Sequence, residues 1–247
     1  GRARASDSSD LFSLAVLLFH LLTRHDPFKG TRELAIACLD LPARRRLYAE
    51  DPLFVFDPRD ASNRPDPIEH AAALLTWPIY PRPLQQLFER SFGEGLGDPG
   101  RRTLTGQWCQ QLSATLDQRC LCQACGQENF SERRRGALCW ACASPLEDCA
   151  VLRGSAGSVR VAAGNELHPH HLDPLRVEDL DHPIGRVVAH PQRPRLLGLQ
   201  NLSRHDWALT LQGGERIEVA PGETGSLAQA VQLDTPEGTI TIVPSSD

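Results

Sequence analysis

The chain has 247 residues, the length of one large domain or two small ones, and 40% of them are hydrophobic, which is enough for ordinary globular cores. No apolar run reaches the roughly 18 residues of a membrane-spanning helix, which argues against a membrane partner. The net charge of −5 gives no reason to expect a nucleic-acid partner, because such binding depends on Lys and Arg neutralising phosphates.

The residue counts also indicate whether the chain is a fragment and in which cellular compartment the protein resides. The sequence has no methionine and a single lysine, Lys29, so we expect a fragment or a processed product. The apolar stretch 11–22 is not a signal peptide, since Asp7 and Asp10 precede it and no small-residue cleavage site follows. Four of the eight cysteines form two C-x-x-C pairs, which favours metal binding in a reducing compartment and therefore a cytoplasmic protein.

The first half of the chain is predicted to be helical. Apolar residues at helical spacing, together with helix-ending Pro and Gly, predict helices over 7–23, 33–47, 70–77, 84–92 and 104–117. The helix over 33–47 should break or bend at Pro42, because proline cannot donate the backbone hydrogen bond that a helix interior needs.

The sequence after position 146 predicts short strands separated by turns. Alternating β-branched and polar residues place strands at 159–162, 186–189, 208–211, 216–219, 228–233 and 239–243. Gly213 and Gly214 are expected to form the tight turn of a hairpin.

Between these regions lie the two cysteine pairs, Cys122 with Cys125 and Cys139 with Cys142. Thirteen residues separate the pairs, enough for a hairpin that brings the second pair to the first. Four thiolates form a closed tetrahedral site, so we predict one structural Zn²⁺ in a small ribbon. Gly126 should provide the open backbone that the first turn needs.

Some residues near the ribbon have more than one interpretation. Cys120 could replace Cys122 as a ligand, whereas Cys38, Cys109 and Cys149 are expected to be ordinary buried residues. The run 133–135, three arginines, could contact RNA or a phosphorylated partner, or it could be a solvated hairpin tip.

A second group of potential ligands lies in the string H-P-H-H-L-D, which contains His168, His170, His171 and Asp173. This group could bind a metal, but Pro169 and the adjacent histidines make convergence of three ligands difficult. The alternative is a turn with hydrogen-bonded histidines.

The helical half resembles part of a Ser/Thr protein kinase. The residues from Asp10 to Leu22, followed by Pro27 and Phe28, resemble the family pattern D-x-x-S-L-G-x-x-x-x-x-L-L-x-G-x-x-P-F of the central helix of the large lobe. The string 98–104, DPGRRTL, is similar to the family's D-P-x-x-R-P-T. The family's Gly-rich loop, strand lysine, H-R-D and D-F-G strings do not occur in these 247 residues, so this chain alone is not expected to be catalytic.

More specifically, the strings 53–65 and 84–108 resemble kinases of bacterial tellurite-resistance-type (Ter) stress gene clusters, in which a zinc ribbon and a β tail follow the kinase lobe. The resemblance implies two scaffold residues: Asp10 would hold the catalytic loop, and Arg102 would pair with the Glu that closes the activation segment. ATP and Mg²⁺ would bind only if an N-terminal half is present. For Asp10 the alternative is a helix-capping carboxylate.

The later half of the tail resembles a forkhead-associated (FHA) β-sandwich, through the string 197–203, Gly214 and the turn 221–222. The resemblance implies that Asn201, Ser203, Arg204 and His205 cluster in loops at one end, where a phosphate or a protein partner could bind. Ser203-Arg204-His205 lacks the spacer of the family's Ser-Arg-x-His string, so a simple turn cap remains the alternative.

Together these observations predict an α+β multidomain chain. Residues 1–118 would be a helical kinase large-lobe remnant, 119–146 a zinc ribbon, and 147–247 an FHA-like all-β sandwich. Two functions stay open: the C-terminal portion of a Ser/Thr kinase-like stress-signalling protein, or a non-catalytic adaptor. The resemblance implies protein partners from the same cluster, such as a von Willebrand A-domain protein or a metal-dependent phosphatase.

Overall fold

A computed structural model describes residues 7–130, 137–176 and 179–244. The chain contains both helices and antiparallel sheets, as predicted, and divides into two compact units, residues 1–112 and 113–247. The three-part division at 118 and 146 stays a prediction, and the arginine run 133–135 lies outside the described residues. Across the described ranges, no helix combines the length and apolar character that a membrane crossing requires.

Four of the five predicted helices begin and end close to the predicted positions, and α6 was not predicted. The helices are α1 (Asp7–Thr23), α2 (Thr31–Leu34), α3 (Leu41–Arg45), α4 (Ala71–Thr76), α5 (Arg82–Phe92), α6 (Glu94–Gly97) and α7 (Thr105–Asp117). Single 3₁₀ turns cover Trp77–Ile79 and Pro99–Arg101, and a π-helical turn covers Arg46–Glu50.

The helix predicted over 33–47 is interrupted, but the prediction that the break or bend falls at Pro42 was wrong. The chain leaves the helical conformation after α2 and starts α3 only at Leu41. The Asp40 side chain accepts a 2.9 Å hydrogen bond from the backbone N–H of Ala43, and Pro42 lies in the first turn of α3. Because a proline in the first turn removes no helical hydrogen bond, Pro42 begins a helix here instead of bending one.

The core of the first unit consists mainly of aromatic rings. Phe19 of α1 is fully buried, and its ring centroid lies 5.5 Å from those of Phe54 and Phe88 and 6.0 Å from that of Phe92. Trp77 lies 5.8 Å from the same ring. The buried face of α1 therefore collects rings from segments that are far apart in sequence.

A buried amide, Asn63, fixes the loops of the first unit. Its Nδ2 donates to the carbonyl oxygens of Phe28 at 3.0 Å and Leu53 at 2.7 Å, and its Oδ1 accepts from the N–H of Arg32. A Cβ on Gly30 would lie 2.0 Å from the Asn63 carbonyl oxygen, so only glycine allows this close approach.

The second unit begins with a two-stranded ribbon and continues into ten described strands, where the sequence predicted six. The ribbon strands are β1 (Cys120–Leu121) and β2 (Glu128–Asn129). The tail strands are β3 (Val151–Arg153), β4 (Ser158–Arg160), β5 (Glu166–Leu167), β6 (Gly185–His190), β7 (Arg193–Asn201), β8 (Trp207–Leu211), β9 (Arg216–Val219), β10 (Thr224–Ser226), β11 (Ala230–Thr235) and β12 (Gly238–Val243). Gly214, with φ +82°, turns β8 into β9 as predicted.

The tail strands form two antiparallel sheets around one core. The order is β4-β3-β12-β11-β8-β9 in the larger sheet and β10-β7-β6-β5 in the smaller. Leu152 and Leu233 of the larger sheet and Val187 and Leu199 of the smaller are buried in a single cluster. The two sheets therefore pack face to face and share one hydrophobic interior.

Arg119 joins the ribbon to the sheets within the second unit. Its Nε donates to Asn165 Oδ1 and its Nη1 to Glu128 Oε1, both at 2.9 Å, while Asn165 Nδ2 donates back to the Arg119 carbonyl at 2.9 Å. Asn165 is buried, so this reciprocal pair is protected from water.

Candidate metal centre

The first cysteine pair lies on a tight turn that closes the β1–β2 hairpin. The Cys122 carbonyl accepts a 2.8 Å hydrogen bond from the Gly126 N–H, and the Cys122 N–H donates to the Gln127 carbonyl at 2.9 Å. Gly126 has φ +72°, a conformation that costs other residues free energy. The backbone freedom expected of Gly126 is therefore used.

The second cysteine pair repeats the same hydrogen bonds. The Cys139 carbonyl accepts from the Ala143 N–H at 2.9 Å, and the Cys139 N–H donates to the Ser144 carbonyl at 2.8 Å. Ala143 occupies the position equivalent to Gly126 and also has a positive φ, +56°. The two turns thus present their cysteines in equivalent ways.

The four sulfur atoms converge. Cys122 and Cys142 lie 3.6 Å apart at Sγ, as do Cys125 and Cys139, and all four sulfurs lie within 4.8 Å of one another. A tetrahedral ion bound by sulfur at ~2.3 Å separates its ligands by ~3.8 Å. The four cysteines can therefore hold one metal ion.

The surroundings favour the thiolate of Cys139 and disfavour that of Cys125. Desolvation opposes ionisation of Cys139, but backbone N–H groups of Ala141 and Cys142 and the amide of Asn129 lower its pKa to about 6. For Cys125, a hydrogen bond from the Gln127 backbone lowers the pKa, but burial and the neighbouring thiols outweigh it and raise the pKa to about 12. The pKa values of Cys139 and Cys125 move in opposite directions because adjacent sulfur atoms share protons unequally. A bound cation would deprotonate all four thiols.

The remaining cysteines do not join this group. Cys120 is buried on β1 opposite Asn129 and is not among the four converging cysteines. It therefore does not replace Cys122 in the group. Cys38 and Cys109 are exposed, and the expectation that they are buried was wrong. Both lie in the first unit, Cys38 in the loop between α2 and α3 and Cys109 on the exposed side of α7.

Arg102, one of the two predicted kinase-scaffold residues, contacts two elements of the first unit. Its Nε donates to the Gly95 carbonyl at 2.9 Å, and its guanidinium carbon lies 5.2 Å from the centre of the Phe12 ring. Asp10 is exposed on α1. The scaffold roles of both residues stay predictions.

Asn201 and Ser203 hold a turn. Asn201 is fully buried, and its Nδ2 donates to the carbonyls of His205 and Val219 at 2.8 and 2.9 Å, while its Oδ1 accepts from the N–H and hydroxyl of Ser203. Arg204 and His205 are exposed beside this turn. These contacts fit the turn-cap alternative for Asn201 and Ser203, and phosphate binding at Arg204 stays a prediction.

The histidine string is placed differently from the expectation. Asp173 accepts a hydrogen bond from the Leu175 N–H at 2.9 Å and is not among the grouped ligands. Instead Asp117, at the end of α7, lies with His170 and His171. Sequence reasoning missed Asp117 because it precedes His170 by 53 residues and no spacing rule connects them.

Comparison with protein-family models, with curated proteins and with solved structures gave no match to this chain.

Proposed function

We propose that this chain is the C-terminal portion of a bacterial Ser/Thr kinase-like stress-signalling protein and that it docks protein partners without catalysing phosphate transfer itself. One observation carries the kinase-like part of the proposal. The two kinase-like strings, far apart in sequence, meet in the first unit, where the guanidinium of Arg102 from the second string lies 5.2 Å over the ring of Phe12 from the first. Strings that belong to one lobe are expected to converge in this way.

The metal in this proposal is Zn²⁺, and its role is structural. Four thiolates leave no coordination position for a substrate, so the ion stabilises the ribbon and does not activate water. The ribbon in turn supports the adjoining sheets through Arg119 and Asn165.

A non-catalytic adaptor is the second candidate, and Arg204 favours it. Arg204 projects from a loop whose backbone is held by the buried Asn201, and a guanidinium on a fixed loop suits a phosphate or carboxylate of a partner. The Ter resemblance suggests a von Willebrand A-domain protein or a metal-dependent phosphatase as that partner.

Nucleotide binding distinguishes the two candidates. The chain alone and a version extended by its upstream coding sequence would be titrated with ATP and Mg²⁺ by calorimetry and assayed for phosphate transfer. Binding and transfer only in the extended protein would support the kinase portion, and neither in both would support the adaptor. Saturable micromolar ATP binding by the chain alone would contradict the proposal, because the strings that hold ATP and Mg²⁺ lie outside it.

Docking is tested with the full chain and purified candidate partners. Arg204→Ala should weaken capture of a phosphorylated partner, and phosphatase treatment of that partner should remove the difference between the two forms. Arg195→Ala, in an exposed arginine of β7, serves as the matched control for loss of positive charge. Equal capture by all forms would exclude phosphate recognition at Arg204.

A further inference from the structure

A second group of metal-binding side chains lies in the second unit, away from the cysteines. Asp117 ends α7, and His170 and His171 belong to a 3₁₀ turn, Pro169–His171, that follows β5. One ligand atom from each of the three residues lies within 4.8 Å of the others. A carboxylate and two imidazoles are ligands that Zn²⁺ and similar divalent transition metals accept.

His171 is held rigidly and points into this group. Its side chain is 1% exposed, and its carbonyl accepts hydrogen bonds from the N–H groups of Ala156 and Gly157 at 3.0 and 3.1 Å. A Cβ on Gly154 would lie 2.2 Å from that carbonyl oxygen, and one on Gly157 would lie 2.9 Å from the imidazole Cδ2. Both glycines are therefore required for the close packing that fixes the ring.

The Nε2 of His171 faces Asp117 without forming a hydrogen bond. The ring's Nδ1 accepts a 2.9 Å hydrogen bond from the N–H of His168 and lies 3.1 Å from the His168 carbonyl oxygen. Its Nε2 lies 3.1 Å from Asp117 Oδ2 but is buried without a hydrogen bond of acceptable geometry. A buried polar atom that makes no hydrogen bond lowers the stability of the fold by ~1–3 kcal/mol, and a bound metal ion at Nε2 would remove that penalty.

The same distance fits two ligands of one ion. Donor atoms bound at ~2.1 Å with angles of 90–109° lie ~3.0–3.4 Å apart. The 3.1 Å between His171 Nε2 and Asp117 Oδ2 falls in that range. Metal binding through Nε2 requires the tautomer in which Nδ1 donates to the His168 carbonyl in place of accepting from the His168 N–H, so that Nε2 presents a lone pair.

His170 completes the group. Its ring centroid lies 4.0 Å from that of His171, and its buried Nδ1 has no hydrogen-bond partner. His168 lies beside the group with its Nε2 3.6 Å from Glu166 Oε2 and is not among the convergent ligands.

We propose that Asp117, His170 and His171 form a second metal site, selective for borderline divalent ions such as Zn²⁺. Three protein ligands leave at least one coordination position for water or for a group from another molecule. The ion would link the end of α7 to the turn after β5, a connection that no spacing in the sequence reveals.

The test is a zinc titration of the full chain by calorimetry, with metal content measured after dialysis. Two ions per chain are expected for the natural sequence. Asp117→Asn and His170→Gln should retain the ion at the cysteines and raise the Kd of the second by at least roughly tenfold. Asp173→Asn is the matched control, because this carboxylate is next to the histidines in sequence but outside the group, and it should bind two ions.

A second measurement keeps the test valid if a variant unfolds. Nitrogen-15 spectra of the imidazoles should show His171 protonated at Nδ1 once zinc is added, with Nε2 coordinated. A single ion in the natural chain, or His171 that stays protonated at Nε2 at saturating zinc, would overturn the proposal. So would unchanged second-ion affinity in folded Asp117→Asn and His170→Gln proteins.

Discussion

The first unit packs aromatic rings around one helix, whereas the second buries mostly aliphatic side chains between two hydrogen-bonded sheets. In the first unit, α2, α3, α4 and α6 are each six residues or shorter, too short to be stable by themselves, so they depend on tertiary contacts. In the second unit, sheet hydrogen bonds and converging side chains connect segments from position 113 onward.

This difference indicates where each unit is vulnerable. Loss of one ring from the first unit should remove contacts with several segments at once. Within its described residues, 119–130 and 137–146, the ribbon has two strands of two residues each, and it needs the metal in addition to its hydrogen bonds. The following substitutions test this contrast, starting with the largest expected effect.

Cys125→Ala should release the ion and unfold the ribbon. Metal binding by four thiolates contributes on the order of 10 kcal/mol to the folding of a small ribbon. Metal analysis should find about one ion fewer per chain, and backbone amide signals of residues 120–129 should lose their dispersion. The sheets should retain their β circular-dichroism signal, both in this variant and after chelator treatment.

Cys109→Ala is the control for this experiment, because Cys109 is exposed and lies in the first unit. It should keep the full metal content. An intact ribbon in metal-free protein would show that the ion is not needed for folding.

Phe19→Ala should destabilise the first unit by roughly 3–5 kcal/mol, since it removes a fully buried ring and leaves a cavity. Leu17→Ala on the same helix is the matched control, with 55% of Leu17 exposed, and should change stability little. Urea denaturation followed by tryptophan fluorescence measures both. Metal content should be unchanged, and loss of the ion in Phe19→Ala would contradict the separation of effects between the units.

Asn201→Ala should destabilise the second unit by about 2–3 kcal/mol. The change removes donors from the carbonyl of the buried Val219 and from the carbonyl of His205, and an acceptor from Ser203. Arg204→Ala, three residues later on the exposed loop, should leave stability within about 0.5 kcal/mol of the natural chain. Thermal unfolding distinguishes these effects, and equal melting temperatures would show that Asn201 does not hold the turn.

The smallest effects are expected at the two positive-φ positions of the cysteine turns. Gly126→Ala should destabilise the ribbon by ~1–2 kcal/mol, because alanine disfavours a φ of +72°. Ala143→Gly should have the opposite sign and a smaller size, since relief of strain is partly offset by the entropy of glycine in the unfolded chain. Competition with a chelator measures both, and shifts of the same sign would contradict the equivalence of the two turns.

Local patterns predicted some features and not others. The C-x-x-C spacing predicted the cysteine ligands, and a long apolar run predicted α1, because each pattern is contained in a short stretch of sequence. Strand β7 escaped prediction because Pro194 and Gly198 interrupt its alternation; a Cβ at Gly198 would lie 2.5 Å from Thr224 Cγ2 on β10. That requirement is visible only once β10 is placed beside β7.

The same limit applies to the site that contains Asp117. Its ligands come from the end of a helix and from a turn after β5, and only the tertiary fold brings them together. The structural roles of three buried amides, Asn63, Asn165 and Asn201, could not be predicted either. A sequence does not show which carbonyl groups a side-chain amide will contact.

The reciprocal hydrogen bonds of Arg119 and Asn165 limit how the ribbon could be exchanged between proteins. A recombination event that transferred residues 119–146 alone would remove the Arg119 hydrogen bonds from the buried Asn165. In the recipient protein, the Arg119 guanidinium would lack the amide oxygen to which it donates here. Inheritance of this ribbon therefore requires the two positions to move together, so Arg119 and Asn165 should change as a pair whenever either one changes.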